Sequence, residues 1–386
     1  MIAVGGAGAM GRWAVRTIAR LGSAARLTIA DLDVERASRL ADEVGPPSMP
    51  LSLDATDYAA MRRAFDEHDV VVNTMGPFAT FFRPIVEAAI ASGCHYLDIN
   101  DDWQPTLDAY ALDAAARRQG LHVIVGLGGS PGVTNLCAVL AADRLDRVDT
   151  VYTGWKVAGA SIVDEPLFPA PRASAATDHW IHQCSGPIRV WDNGAEALID
   201  PVQRVEFDFP GLGPVHAFTM GHPEAVTLPR RYPGLRRSYN LQSGPDWLLD
   251  LLREVGAEHR AGSLSLQQGA ERIASHPRPK TKGPRDPLPI EWSLAIGEAA
   301  GRPRSVAAFP TSFHPSKMGG NTGIPVAIGV ELLRRGKLLD LGVHAPEAAI
   351  VPRDFFDLMA PLMEPPLTGT DDLIAIVEAD CPRNQP

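Results

Sequence analysis

Gly6-Ala7-Gly8-Ala9-Met10-Gly11 follows a short apolar run, Met1–Val4, and Asp31 stands twenty positions past the last glycine, after Leu27-Thr28-Ile29-Ala30. Strand, glycine loop, helix, strand and acid in that order are the pattern of a dinucleotide site. Gly6 is expected to make the tight turn, Gly8 to let the backbone approach a pyrophosphate, and Gly11 to let helix pack on strand. The helix N-terminus favours the phosphate charge. A carboxylate at Asp31, with Leu32 beside it, accepts from ribose hydroxyls and repels a 2′-phosphate. NAD is therefore the expected coenzyme, with NADP the alternative that Arg36 would admit.

Such a site needs a parallel sheet to carry it. Residues 1–131 alternate strand and helix patterns, which predicts a doubly wound Rossmann-type α/β domain. Helices are expected over Val34–Val44, over Leu107–Gln119, and around Pro84–Ser92 with Pro84 in the first turn. Ligands of these sheets lie at the carboxyl ends of the strands. Asp54 and Ala55 are then expected near the adenine. Asn73-Thr74-Met75-Gly76-Pro77 should line the nicotinamide ribose and the diphosphate. Asp98, with Asn100, Asp101 and Asp102, makes an acidic cluster at a strand end. Burial there would raise a carboxyl pKa and suit proton transfer, or hold a substrate ammonium; helix capping is the competing role. Gly126–Gly132, containing Ser130 and followed by Asn135, reads either as an anion-binding helix start or as an interdomain hinge.

Past Asp143 strands come without crossover helices, so residues 132–315 are expected to form an α+β domain with a mixed sheet, for substrate and oligomerisation. Residues 316–386 read as a helical segment returning to the first domain. Ser275–Pro289 is basic and proline-rich, an exposed loop. Lys156 could serve as a base or clamp a carboxylate, with Trp155 on the other face of its strand. His179 is an acid/base candidate. Its spacing from His182 lacks a third ligand, and no metal is expected. Arg230 and Arg231 are guanidinium candidates for a substrate carboxylate.

A formal charge of −10 and a pI near 5.6 argue against nucleic acid as a partner. The four cysteines have no paired spacing, so neither a disulfide framework nor a zinc site is expected. No apolar run is long enough to span a membrane. The chain opens on the cofactor strand, so no signal peptide is expected and a cytoplasmic location follows; a start upstream of Met1 would lengthen that strand.

Further stretches carry a family resemblance: Asp69-Val70-Val71-Val72-Asn73, Gly93-Cys94-His95-Tyr96-Leu97-Asp98, Gly126–Asn135, Thr322–Gly329 and Gly342–Glu347. With the glycine loop and Ala30–Asp33, they make the chain resemble the saccharopine dehydrogenase-like reductases, nearest to their L-lysine 6-dehydrogenase branch. The resemblance implies an NAD(P)-dependent oxidoreductase acting on the carbon–nitrogen bond of a small-molecule amine or amino acid. It also implies a homodimer or higher homo-oligomer formed through the second domain's sheet. Trp155-Lys156 stands where the family has a glycine pair, which alters the pocket wall. Alternatives are a homospermidine synthase-like transferase with bound NAD, a reductase of lipid or polyketide intermediates, and a redox sensor without turnover.

Overall fold

The structure, a computed structural model, describes residues 1–156, 175–277 and 286–381. Most of the basic loop expected over Ser275–Pro289 lies outside the described residues. Strands are numbered β1–β16 along the chain. Two compact units form, the first from Met1–Leu136 and Thr311–Ile374, the second from the described parts of 137–310 and 375–381.

The first unit is built on β1 (Ile2–Val4), β2 (Leu27–Asp31), β3 (Ser48–Ser52), β4 (Val70–Asn73), β5 (His95–Asp98), β6 (His122–Ile124) and β15 (Gly342–His344). All pairs are parallel, in the order β15-β6-β5-β4-β1-β2-β3. The direction of winding reverses between β1 and β4, the switch point at which such sheets bind nucleotides. Ile2, Ala3, Val71, Val72 and Leu97 are fully buried, as strands covered on both faces must be. Helix Gly11–Leu21 ends at Gly22 in a left-handed conformation, and Asp33 caps helix Val34–Val44 by accepting from Arg36 N–H at 3.0 Å.

Two local expectations are corrected. Pro84 sits inside helix Phe78–Ala91, not in its first turn. The helix expected over Leu107–Gln119 is broken into Trp103–Ala109, a 3-10 turn at Tyr110–Leu112, and Asp113–Arg118. Helix Met318–Arg334 packs on Gly11–Leu21. Its buried Glu331 accepts from Ser23 Oγ at 2.7 Å and from Arg334 and Arg335, which hold its pKa down to about 2.

The second unit's sheet contains β7 (Arg147–Lys156), β8 (Ile188–Asp192), β9 (Ala195–Ile199), β10 (Arg204–Phe209), β11 (Gly213–Met220), β12 (Arg237–Ser243), β13 (Glu291–Ala299), β14 (Arg302–Pro310) and β16 (Ile374–Asp380). The path is β10-β11-β12-β7-β13-β14-β16, with β8 and β9 branching from β12. Only β12–β7 is parallel among the registered pairs, so the sheet is mixed. Helices Met318–Arg334, Pro346–Ala349 and Pro352–Met359 lie within the first unit, whereas the closing strand β16 joins the second sheet. One sheet face carries Phe207, Leu241, Trp292 and Leu294. On the other, Phe218 and Met220 pack with Ile181, Leu249, Leu252 and Val255 from helices Ala175–Gln183 and Asp246–Arg260. No helix of the described residues is long and apolar enough to cross a membrane.

Candidate functional site

At the switch point of the first unit the glycine loop and the loop after β4 touch. It is Gly5, with φ 66°, that makes the turn out of β1; Gly6 is instead packed against Ala3 and Ile29. A Cβ on Gly11 would meet Gly5 O at 2.3 Å and Thr74 Oγ1 at 2.5 Å, so close packing requires that glycine. Gly8 differs: a Cβ there would meet one atom, Gly5 O at 3.0 Å, and otherwise open space. Internal packing constrains Gly8 only at that one backbone oxygen, while a pyrophosphate approaching the backbone also asks for a bare Cα. Helix Gly11–Leu21 has no side-chain cap, and its Arg12 and Trp13 N–H groups donate to Gly8 O and Met10 O, so what the helix start offers an anion is the positive end of its dipole.

Asp31 stands at the end of β2, accepting from Ala7 N–H at 3.3 Å and Asp33 N–H at 3.1 Å. Leu32 beside it is 70% exposed, and Arg36 donates to Ala7 O at 3.3 Å. Asp54 follows β3, its carboxylate held below the usual range by the N–H and hydroxyl of Thr56; Ala55 is buried. The cradle at Gly8 and the carboxylate at Asp31 fit a dinucleotide coenzyme.

Several side chains expected to face ligand are spent on the scaffold. Asn73 accepts from Met75 N–H and donates to Tyr96 OH, and Thr74 Oγ1 donates to Val4 O and Gly5 O. What Thr74, Met75, Gly76 and Pro77 offer a coenzyme is backbone, with Met75 against Gly5. Asn100 is locked onto Asp102 and Thr106, starting helix Trp103–Ala109. Asn135 is held between Gly132 N–H and Glu347, at 2.8 and 2.7 Å. The loop Gly126–Gly132 around Ser130 spends its donors internally: Gly126, Leu127, Gly128 and Gly132 N–H all have acceptors. Those four donors are already paired and are not available to an anion.

Asp98 is fully buried, as its position implied. Its Oδ2 accepts from Tyr96 OH at 2.8 Å, and Oδ1 from Gly126 N–H at 2.7 Å and Asn100 N–H at 3.0 Å. Burial outweighs these three bonds and pushes the carboxyl up to about 7. With both oxygens engaged, Asp98 joins β5 to the Gly126 turn. The folded state then binds a proton more tightly than the unfolded chain, whose carboxyl titrates near 4. Asp98 therefore contributes stability that is full below about pH 4 and lost as pH rises towards 7. The slope is at most about 1.4 kcal/mol per pH unit. Asp98→Asn should flatten the urea midpoint against pH over that window. Parallel profiles for the two proteins would refute the assignment.

In the second unit, β12 alternates between its two faces. Tyr239 and Leu241 join the apolar side, and Ser238, Asn240 and Gln242 lie on the other, each fully buried. Cross-strand register adds Thr153 and Trp155 from β7 and Glu291 and Ser293 from β13 to that second face. Asn240 Nδ2 donates to Thr153 Oγ1 at 3.0 Å and to Glu224 Oε1 at 3.1 Å, while its Oδ1 accepts from Trp155 Nε1 at 3.2 Å. Glu224 is fully buried in helix Glu224–Arg231, and its Oε2 lies 3.6 Å from His222 Nδ1. The His222 ring packs on Trp155, with centroids 5.5 Å apart, and on His179 at 6.3 Å. Trp180 Nε1 donates to Gln242 Oε1 at 2.9 Å. Buried polar groups in such number are costly unless paired or put to use.

His179 and Trp155 thus join this cluster, and Lys156 does not. It points to the opposite face and donates to Asp286 O at 3.0 Å, with the Asp286 carboxylate 3.8 Å away. An ammonium so held is a poor base. Arg230 and Arg231 are exposed at the end of their helix, Arg231 lying over the Tyr232 ring, so neither guanidinium reaches the buried face. Glu224, Asn240, Gln242 and Glu291 escaped the sequence reading, and His222 was only a weak candidate in it. The one available signal was the alternation in β12, which reads equally well as a solvent-facing side.

Residues 2–124 match the family model described as "Saccharopine dehydrogenase NADP binding domain". Carboxynorspermidine synthase of Vibrio alginolyticus is 24% identical over 320 residues, 75% of this chain and 75% of that protein. Saccharopine dehydrogenase [NADP(+), L-glutamate-forming] of Pyricularia oryzae is 30% identical over 123 residues, 32% of this chain and 26% of that one. Saccharopine dehydrogenase (L-Glu forming) from Saccharomyces cerevisiae superposes with a TM-score of 0.62 at 14% identity, covering 98% of this chain and 99% of that one, a likeness of fold. Residues 2–124 thus match a saccharopine dehydrogenase NADP-binding domain, and the order of the parallel sheet and the mixed second sheet accompany a likeness of fold to saccharopine dehydrogenase over the whole chain.

Proposed function

We propose that this protein is an NAD-preferring oxidoreductase that makes or breaks the carbon–nitrogen bond of an amino acid or related amine. The observation that carries the reading is the buried polar face of the second unit, where His222 and Glu224 meet Asn240, Gln242 and Trp155. A nicotinamide coenzyme supplies or removes the hydride when bound. The chain's own task is to hold the CH–NH centre and to move its amine proton. His222 is the proton acceptor in this proposal, and Glu224 orients its ring. Glu224 can do so because Asn240 pins the other carboxylate oxygen at 3.1 Å. His179 meets the ring edge-on, with centroids 6.3 Å apart. Coenzyme binding is assigned to the first unit and amine binding to the second.

Similarity to a carboxynorspermidine synthase, whose product name denotes a carboxylated polyamine, supports the same bond type. The test is a screen of amino acids and diamines, L-lysine among them, with NAD and NADP, following reduced coenzyme. The reverse arm mixes amines with aldehydes and follows oxidation of NADH. Turnover in either arm with an amine-dependent product supports the reading. If coenzyme binds yet neither arm turns over, the reading is overturned.

A further inference from the structure

Glu291 opens β13 opposite Trp155, which in turn lies opposite Gln242 of β12. Adjacent strands are spaced about 4.8 Å apart, so the carboxylate and the amide flank one indole on the same face. Gln242 is fully buried and its Oε1 is taken by Trp180, while its Nε2 has no acceptor among the described residues. A buried amide donor left without a partner costs about 1–3 kcal/mol, so the site is built to receive an acceptor from elsewhere. Glu291 has no hydrogen-bonding or ion-pair partner among the described residues. It has one charged carboxylate neighbour, Glu224. Cys137, the other titratable group beside it, has its thiol pushed up by burial and stays neutral.

Two neighbouring carboxylates, an indole between carboxylate and amide, and an unsatisfied donor together describe a receptor for one cation and one acceptor group. Resting on the carbon–nitrogen reading above, we propose that Glu291 is the specificity-determining residue of this site. It admits substrates that carry a second, non-reacting ammonium and gives up its own proton when one binds. Gln242 Nε2 receives the substrate's carboxylate or carbonyl oxygen, and the Trp155 face lies against the cation. Proton release follows from electrostatics. Burial and the Glu224 charge hold the empty Glu291 carboxyl up to about 8, and a bound cation reverses that penalty. Cation affinity should therefore rise as pH passes through that value.

The experiment uses the full chain saturated with NADH, so that amine oxidation does not proceed during titration. Cationic probes are L-lysine, L-ornithine and 1,4-diaminobutane, and L-norleucine is the counterpart without the second amine. Calorimetry in two buffers of different ionisation enthalpy counts protons released. The expected result is lysine preferred over norleucine by about tenfold or more at pH 9, less at pH 7, with up to about one proton released. Glu291→Gln should abolish both the preference and the proton release while leaving NADH affinity unchanged. Glu291→Asp, which keeps the charge, should retain part of the preference and guards against a folding effect. Preference or proton release undiminished in Glu291→Gln overturns the proposal, as does failure of every cationic probe to bind. Glu291-dependent binding without turnover would instead leave the seat standing and remove the oxidoreductase reading.

Discussion

Replacing His222 by alanine is expected to lower kcat/KM by about two to four orders of magnitude, the usual worth of a positioned general base. NADH affinity should be unchanged, because the coenzyme cradle belongs to Met1–Leu136 and His222 to the second unit. A loss of folding would also lower activity, so the decisive readout is rescue. Imidazole added to His222→Ala should restore part of kcat, which it could not do for a residue that only packs against Trp155. Glu224→Gln should cost less, about tenfold, because a neutral amide can still orient the ring but cannot stabilise the imidazolium. Full activity in His222→Ala, or a deficit that imidazole leaves untouched, removes His222 from the chemistry.

Asp31 governs the second large effect. A 2′-phosphate carries close to two negative charges, and a carboxylate about 4 Å away opposes each by about 1–4 kcal/mol. The protein should accordingly prefer NAD to NADP by at least about tenfold. Asp31→Ser removes the repulsion and with it a hydrogen-bond acceptor for the ribose. The NAD-to-NADP affinity ratio should fall by about a hundredfold, through weaker NAD binding and stronger NADP binding together. Arg36 would then be the available cation, since it already reaches Ala7 O in the same loop. Arg36→Ala in the Asp31→Ser background should lose the gained NADP affinity. Fluorescence titration with both coenzymes measures all three proteins. The matched family model carries NADP in its name, and a parent protein that prefers NADP would overturn the role given to Asp31.

The first unit was legible because its chemistry is written locally. The glycine loop and the acid after β2 each act within a few residues of the element they start or end. Asp98 was legible as buried and raised in pKa, since a carboxyl ending a central strand has nowhere else to go. Its partners were not. Tyr96, Gly126 and Asn100 satisfy both oxygens, and no spacing rule announces that. The internal partners of Asn73, Asn100 and Asn135 were not legible either: short amides at loop starts find backbone and side-chain partners nearby.

By itself the sequence determined a coenzyme, a parallel sheet to carry it, and a second domain of different grammar. Those follow from glycine geometry, one carboxylate and hydrophobic period, all short-range properties. Only the tertiary structure decided which polar residues the second domain buries. Ser238, Asn240 and Gln242 share a face by strand period alone, but a period of two names the face and not what covers it. Helix Glu224–Arg231 packs against β12 and brings Glu224 to Asn240, while strand register brings Glu291 beside Trp155. Burial is a property of neighbours distant in the chain, and there the functional reading had to wait for the fold.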